Sequence, residues 1–122
     1  MKTLATLAVS FSLSAVLLAA RPASATTTTD CQALIVTLAD LTSGTTFLRG
    51  DKGAKTQSQL LQHLDKASRE LDLNDPKEAL RQMDGYSTDV TRAVGSQTLA
   101  PADGAALLDG AAEVVSCIQQ IP

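Results

Sequence analysis

One stretch of this 122-residue chain, residues 74–95, has both of its ends marked as the ends of a helix, and it limits what the rest can fold into. Asp75 can accept hydrogen bonds from the first free backbone N–H groups, and Pro76 fits a position whose N–H has no helical partner. Glu78 completes a start that resembles a capping box. Gly95 is expected to end the helix in a left-handed conformation.

The apolar residues between these ends recur at steps of three and four, which places them on one side of the helix. They are Ala79, Leu80, Met83, Tyr86, Val90 and Val94. A helix with one apolar stripe is stable only when that stripe is buried against other elements. The pattern therefore predicts helical neighbours.

Three further segments show helical spacing of apolar residues, and the first has Thr29 or Asp30 as its candidate cap. The break at residues 74–76 is so short that the second and third helices should form an antiparallel hairpin. Residues 45–55, with Gly50 and Gly53, are predicted to be a longer connection. The four predicted helices cover residues 31–41, 56–73, 75–94 and 101–120. We therefore expect an all-α, single-domain, up-down-up-down four-helix bundle.

The first 25 residues have the pattern of a secretory signal peptide: a basic Lys2, an apolar run over residues 4–20 and a small-residue ending at residues 23–25. Their most apolar part, residues 7–20, is shorter than the ~20 residues of a membrane-spanning helix, which makes a retained anchor the less favoured alternative. Cleavage after Ala25 predicts a secreted or periplasmic protein without a membrane span.

Cys31 and Cys117 are the only cysteines of the chain. In an exported protein such a pair is expected to form a disulfide, the alternative being two unpaired buried thiols. In an up-down-up-down bundle the start of the first helix and the end of the fourth lie at the same end, which is where these cysteines fall. We therefore predict a bond that clamps the terminal helices, with a flexible polar tract over residues 26–30 and the bundle over residues 31–122.

The acidic charge balance argues against some classes of partner. Residues 26–122 carry eight basic and 13 acidic side chains, and no stripe of Lys and Arg with interleaved aromatic residues is present. Nucleic acids and anionic membrane surfaces are therefore not expected partners.

Candidate chemical groups are few. His63 is the only histidine, and the residues one helical turn away from it form neither a metal-ligand set nor a nucleophile–base pair, so we interpret it as an ordinary surface residue. Four aspartates near or on the third helix are better explained by helix capping and solubility than by acid–base work. These are Asp72, Asp75, Asp84 and Asp89. The sequence thus predicts no catalytic residue, no metal ligand and no cofactor.

The tripeptide Arg49-Gly50-Asp51 matches a sequence that some animal adhesion receptors recognise, and it falls in the predicted connection over residues 45–55. A tripeptide is a weak signal, and glycine is needed there in any case to turn the chain. We interpret the match as coincidental.

Three runs together resemble a known family: residues 58–67, residues 79–83 with Tyr86, Val90 and Gly95, and Thr98-Leu99 followed by residues 106–108 and Ala111. They are similar to the FIMAH-type helical domain, a small module appended to bacterial secreted enzymes that include sugar-active enzymes and proteases. The resemblance covers residues 41–118. It implies accessory or binding work outside the cell and assigns no catalytic residue.

These observations favour a secreted, non-catalytic binding or accessory module that acts through an extracellular protein or a polysaccharide. The alternative is a small structural or stress-related envelope protein without a discrete ligand site. An enzyme is the least favoured class, and it requires a deep polar pocket with carboxylates converging on His63.

Overall fold

The computed structural model describes residues 26–122, and the predicted signal peptide, residues 1–25, lies outside the described residues. The described part of the chain folds into four α-helices: α1 (Thr28–Gly44), α2 (Asp51–Asp72), α3 (Pro76–Gly95) and α4 (Pro101–Gln119). Each helix packs on the next, and α4 packs back on α1. The predicted up-down-up-down four-helix bundle is confirmed.

The third helix begins as the sequence predicts and ends differently. The Asp75 side chain accepts a hydrogen bond from the Glu78 backbone N–H at 3.1 Å, and Pro76 is the first helical residue. Gly95 is the last residue of the helix, and the left-handed residue is Gln97, with φ 63°. The prediction of a left-handed stop at Gly95 is wrong. The helical hydrogen bonding continues past Gly95, because the N–H of Ser96 still donates to a carbonyl of the last helical turn.

The first helix begins earlier than predicted, at Thr28. The Asp30 N–H donates to the Thr27 hydroxyl at 3.1 Å, and the Thr27 N–H donates to the Asp30 carboxylate at 3.0 Å, which forms a reciprocal capping box. The prediction of a flexible tract over residues 26–30 is therefore wrong for residues 28–30. Two polar residues spaced three apart fix the chain where composition suggested a loose segment.

The second helix also begins earlier, at Asp51, and this shortens the predicted connection to residues 45–50. Gly53, expected in a turn, lies inside α2 and is buried. The chain at Phe47 and Leu48 folds back over Gly53 so closely that a Cβ there would meet the Leu48 carbonyl oxygen. Close packing, and not a turn, explains glycine at this position.

The core lies between all four helices and is made almost entirely of aliphatic residues. Its buried apolar members are Cys31, Ile35, Leu38, Leu60, Leu64, Ala67, Leu71, Ala79, Met83, Tyr86, Val90, Ala93, Leu99, Leu107, Ala111, Val114 and Ile118. Three helical glycines admit side chains from neighbouring helices, since a Cβ at Gly85, Gly104 or Gly110 would meet His63, Val94 or Leu38 respectively. None of the four described helices is both long and apolar enough to cross a membrane.

A disulfide closes the bundle at one end, as predicted. Cys31, near the start of α1, is bonded to Cys117, near the end of α4; their Cα atoms are 5.6 Å apart, and the two residues are separated by 86 positions along the chain. The bond joins two helices that are far apart in sequence and adjacent in space. It therefore restricts the unfolded chain across nearly the whole domain.

A buried hydrogen bond joins α1 and α3, which lie at opposite corners of the bundle. The Thr42 hydroxyl donates its one hydrogen to the Leu38 carbonyl at 2.7 Å, so the Tyr86 hydroxyl, also 2.7 Å away, donates to Thr42. Burial raises the pKa of Tyr86 to about 12. The phenol is therefore held as the neutral donor that this bond requires.

Replacing both cysteines, Cys31→Ala with Cys117→Ala, is expected to lower the free energy of unfolding by about 4–5 kcal/mol, because a closed loop of this size no longer restricts the unfolded chain. Urea denaturation followed by circular dichroism measures the change. The unmodified protein under reducing conditions is the control and should match the double variant. A loss below about 1 kcal/mol in both would contradict the clamp.

Titration of Tyr86 should give a midpoint near pH 12 in the folded protein and near pH 10 when it is unfolded. Tyr86 is the only tyrosine and the chain has no tryptophan, so the absorbance of tyrosinate reports this residue alone. Below pH 10 the phenol is neutral in both states. Between pH 10 and pH 12 only the unfolded state loses the proton, so stability should fall by up to about 2–3 kcal/mol.

The Tyr86→Phe variant is the control for this titration. It should lack that part of the alkaline loss of stability, and at neutral pH it should be about 0.5–1.5 kcal/mol less stable because one buried hydrogen bond is gone. Identical midpoints for the folded and unfolded protein would contradict the assignment.

Candidate functional site

His63 on α2 has its partners on the neighbouring helix α3, where sequence reasoning did not look. Its Nε2 lies 3.0 Å from Asp89 Oδ2, and its Nδ1 lies 3.2 Å from Gln82 Oε1. Asp89 also accepts a hydrogen bond from Arg92 at 3.0 Å. The His63 side chain is 27% exposed, so the expectation of an ordinary surface histidine without partners is wrong.

We call the group of His63, Gln82, Asp89 and Arg92 the α2/α3 polar seam. Both ring nitrogens of His63 face oxygen acceptors, an arrangement that an imidazolium satisfies with its two N–H groups. A neutral ring satisfies it only if the Gln82 amide is turned over. In either state neither nitrogen is left for a substrate, and the seam acts as a bridge between helices.

Gly85 makes room for this bridge. A Cβ at Gly85 would lie 2.6 Å from Cε1 of His63, so the imidazole ring packs directly on the α3 backbone. The His63 ring can therefore occupy this position only because residue 85 has no side chain.

The side chains of the four aspartates near or on the third helix do not come together in one cluster. Asp75 caps α3, and Asp89 belongs to the polar seam. Asp72 accepts a hydrogen bond at 2.7 Å from Gln32 of α1, while Asp84 is exposed. Residues 26–122 contain no group of three His, Cys, Asp or Glu side chains placed to hold a metal ion.

The tripeptide at residues 49–51 forms the turn that starts α2. Arg49 and Gly50 both have positive φ, 68° and 54°, and Asp51 is already helical. The Arg49 guanidinium donates to the side-chain oxygen of Gln97 at 3.2 Å. The tripeptide therefore lies at one end of the bundle, where the connection between α1 and α2 contacts the connection between α3 and α4.

A concave surface lies between α1 and α4, and we call it the α1/α4 groove. It encloses about 330 Å³. Its lining residues are Leu34, Thr37, Leu38 and Leu41 of α1 and Ala106, Asp109, Gly110 and Glu113 of α4. A wider depression of about 400 Å³ is lined by residues of α3 alone, so no second helix forms a wall for it.

The groove combines an aliphatic floor with an acidic edge. Leu38 is buried at its base, and it reaches α4 because Gly110 has no side chain; a Cβ there would lie 2.7 Å from Leu38 Cδ1. Leu41 is 44% exposed. Asp109 and Glu113 are both exposed and lie one helical turn apart on α4. Sequence reasoning missed this site, although the apolar outer positions of the first and fourth helices were a signal for it.

Comparisons of this chain with protein-family models, with curated proteins and with solved structures give no match. The resemblance to the FIMAH-type module therefore stays a prediction. The geometry of the described residues is what bears on function.

The Gly85→Ala variant tests the coupling across the polar seam. In the unmodified protein the new methyl group should push the His63 ring away from Asp89 and Gln82, and this loss should cancel or outweigh the ~1 kcal/mol gained by replacing a helical glycine. In a His63→Ala background the same substitution should stabilise by about 1 kcal/mol. Urea denaturation of the four proteins gives the coupling energy, and equal effects in both backgrounds would contradict the seam.

Proposed function

We propose that this protein is a secreted, non-catalytic binding or accessory module that acts through an extracellular protein or a cell-surface polysaccharide. The observation that carries the proposal is the α1/α4 groove, in which Leu41 stays 44% exposed and Leu34 partly exposed on a domain that has already formed a core. Concave apolar surfaces that remain exposed on a folded domain are typical of binding sites.

Two features support export. Residues 1–25 have the composition of a cleavable leader, and the described domain is closed by a disulfide, a bond that persists mainly in oxidising compartments. Both point to work outside the cytoplasm.

The chemistry of the polar groups supports a non-catalytic role. His63 has both nitrogens engaged by side chains of α3, and the aspartates are distributed between caps, bridges and open surface. General acid–base catalysis needs a titratable group that can reach a substrate. The groove contributes carboxylates and aliphatic groups, which suit recognition.

The alternative is a small structural or stress-related envelope protein without a discrete ligand site. One observation favours it: among the described residues, every buried side-chain nitrogen or oxygen already has a hydrogen-bond partner. In this alternative the groove is an incidental gap between two helices, and the clamped bundle itself is the functional property.

Expression of the chain from residue 1 in an exporting host tests both parts of the proposal. The protein recovered outside the cytoplasm should have the mass of residues 26–122 with an intact disulfide. That protein, immobilised, should retain a component of the culture medium or of the cell envelope of its own organism. Recovery only in the cytoplasm contradicts export, and no retained component contradicts a binding module and favours the alternative.

Two matched variants locate the binding surface. Leu41→Asp places a charge in the groove, whereas Val36→Asp makes the same change at a position of α1 that is 59% exposed and does not line the groove. Retention should fall at least about tenfold for the first variant and change little for the second, because a charge on the floor opposes burial of an apolar ligand. Equal retention by both would move the binding site to another surface.

A further inference from the structure

The charges of the bundle are divided unequally between its two helix pairs. Neither α1 nor α4 contains a lysine or arginine, whereas both contain acidic residues. These are Asp30, Asp40, Asp103, Asp109 and Glu113. The remaining part of residues 26–122 holds eight acidic and eight basic side chains, so the net charge of −5 in this region comes from α1 and α4.

The exposed sides of α1 and α4 also carry apolar residues. Leu41 of α1, which lines the groove, is 44% exposed, and Val36, on the side of α1 toward α2, is 59% exposed. On α4 the exposed positions include Ala105, Ala106 and Ala112. A helix that carries apolar residues on its outward side as well as its core side is typical of a helix covered on both sides. In this structure the outward side faces solvent.

Asp109 and Glu113 repeat a like charge at a spacing of one helical turn beside the groove, which is unfavourable in an isolated helix. No lysine or arginine lies on α4 or on α1 to offset this repulsion. A cation bound along the edge of the groove would relieve it.

The groove also offers little to a ligand that needs hydrogen-bond donors. Thr37 has the only neutral polar side chain in its lining, and that hydroxyl donates to the Ala33 carbonyl at 3.1 Å. What is left is a set of carboxylate acceptors beside an aliphatic floor. This combination suits a ligand that brings its own N–H donors together with apolar side chains.

We propose that the α1/α4 groove docks a cationic amphipathic segment of a partner protein. This inference rests on the proposed function and names its partner class. Aliphatic side chains of the segment lie on Leu34 and Leu41, and flanking lysine or arginine side chains pair with Asp109 and Glu113. Such an arrangement is the helix-in-groove mode of peptide recognition with charge complementarity at the edge.

Charge excludes the simplest competing occupants. Pairing this face with the same face of a second copy brings Asp109 and Glu113 of the two copies together, which is repulsive. An anionic polysaccharide meets the same repulsion. A basic segment is attracted instead, and the acidic face steers its approach.

The test begins with an unbiased probe. A phage-displayed library of helical peptides with randomised surface positions is panned on the processed, disulfide-bonded protein, and the enriched peptides are synthesised and titrated by fluorescence anisotropy. Enriched peptides should carry lysine or arginine beside an aliphatic stripe. Their affinity should weaken severalfold when the salt concentration is raised from low to physiological, because edge charges are screened.

Matched variants assign the contacts. The pair Asp109→Asn with Glu113→Gln should weaken peptide binding roughly 3–10-fold, and the pair Glu70→Gln with Asp84→Asn, which removes two acidic charges from α2 and α3, should change it less than about twofold. Leu41→Ala should weaken binding by a similar factor, and Val36→Ala should not. Circular dichroism checks that each variant retains its helices.

Several outcomes overturn the proposal. Enrichment of acidic or uncharged peptides, or equal weakening by both charge pairs, removes the basis for a cationic ligand at the groove. A dimer in sedimentation equilibrium that Leu41→Ala dissociates assigns the groove to a second copy. Failure to enrich any peptide, while the immobilised protein still retains a component of its own medium or envelope, rejects a cationic segment as the ligand and leaves the binding module standing.

Discussion

Closure of the bundle between α1 and α4 is the contact on which the other features depend. At one end the Cys31–Cys117 bond joins the two helices covalently. At the other end the two connections are joined by the backbone hydrogen bond from Leu48 to Thr98, 2.7 Å long. Between these ends Gly110 lets Leu38 approach α4 closely. The groove exists because two helices fixed at both ends pack tightly at their base and leave their outer edges apart.

The polar side chains between the helices form hydrogen bonds that link one helix to another. Tyr86 and Thr42 link opposite corners of the bundle, and His63 and Asp89 link α2 to α3. A buried polar group without a partner is costly, and the described residues contain no such side-chain atom. The recognition that we propose therefore uses the outer surface, where carboxylates and aliphatic side chains remain available.

The two helix pairs differ in the character of their exposed sides. The hairpin of α2 and α3 has a clear apolar face against the core and mixed charges on its exposed side, as expected of helices with one side facing solvent. The pair of α1 and α4 is acidic and weakly polar on its outward side. The same pair holds the disulfide, so the surface proposed for binding is also the part of the domain that is covalently fixed. A preorganised surface loses less entropy when a ligand binds.

The sequence by itself determined the four-helix topology and the start of α3 at Asp75-Pro76, because caps, periodicity and connection length act between residues close along the chain. It also determined the pairing of Cys31 with Cys117, because they are the only two cysteines and this topology brings them to one end of the bundle. It predicted a left-handed stop at Gly95 that the structure does not have, and it misplaced the starts of α1 and α2, where particular hydrogen bonds or packing contacts override composition. Only the tertiary structure decided that His63 meets Asp89 and that α1 and α4 form a groove. The rotation of each helix about its axis and its register against its neighbour set these contacts, and no local signal encodes them.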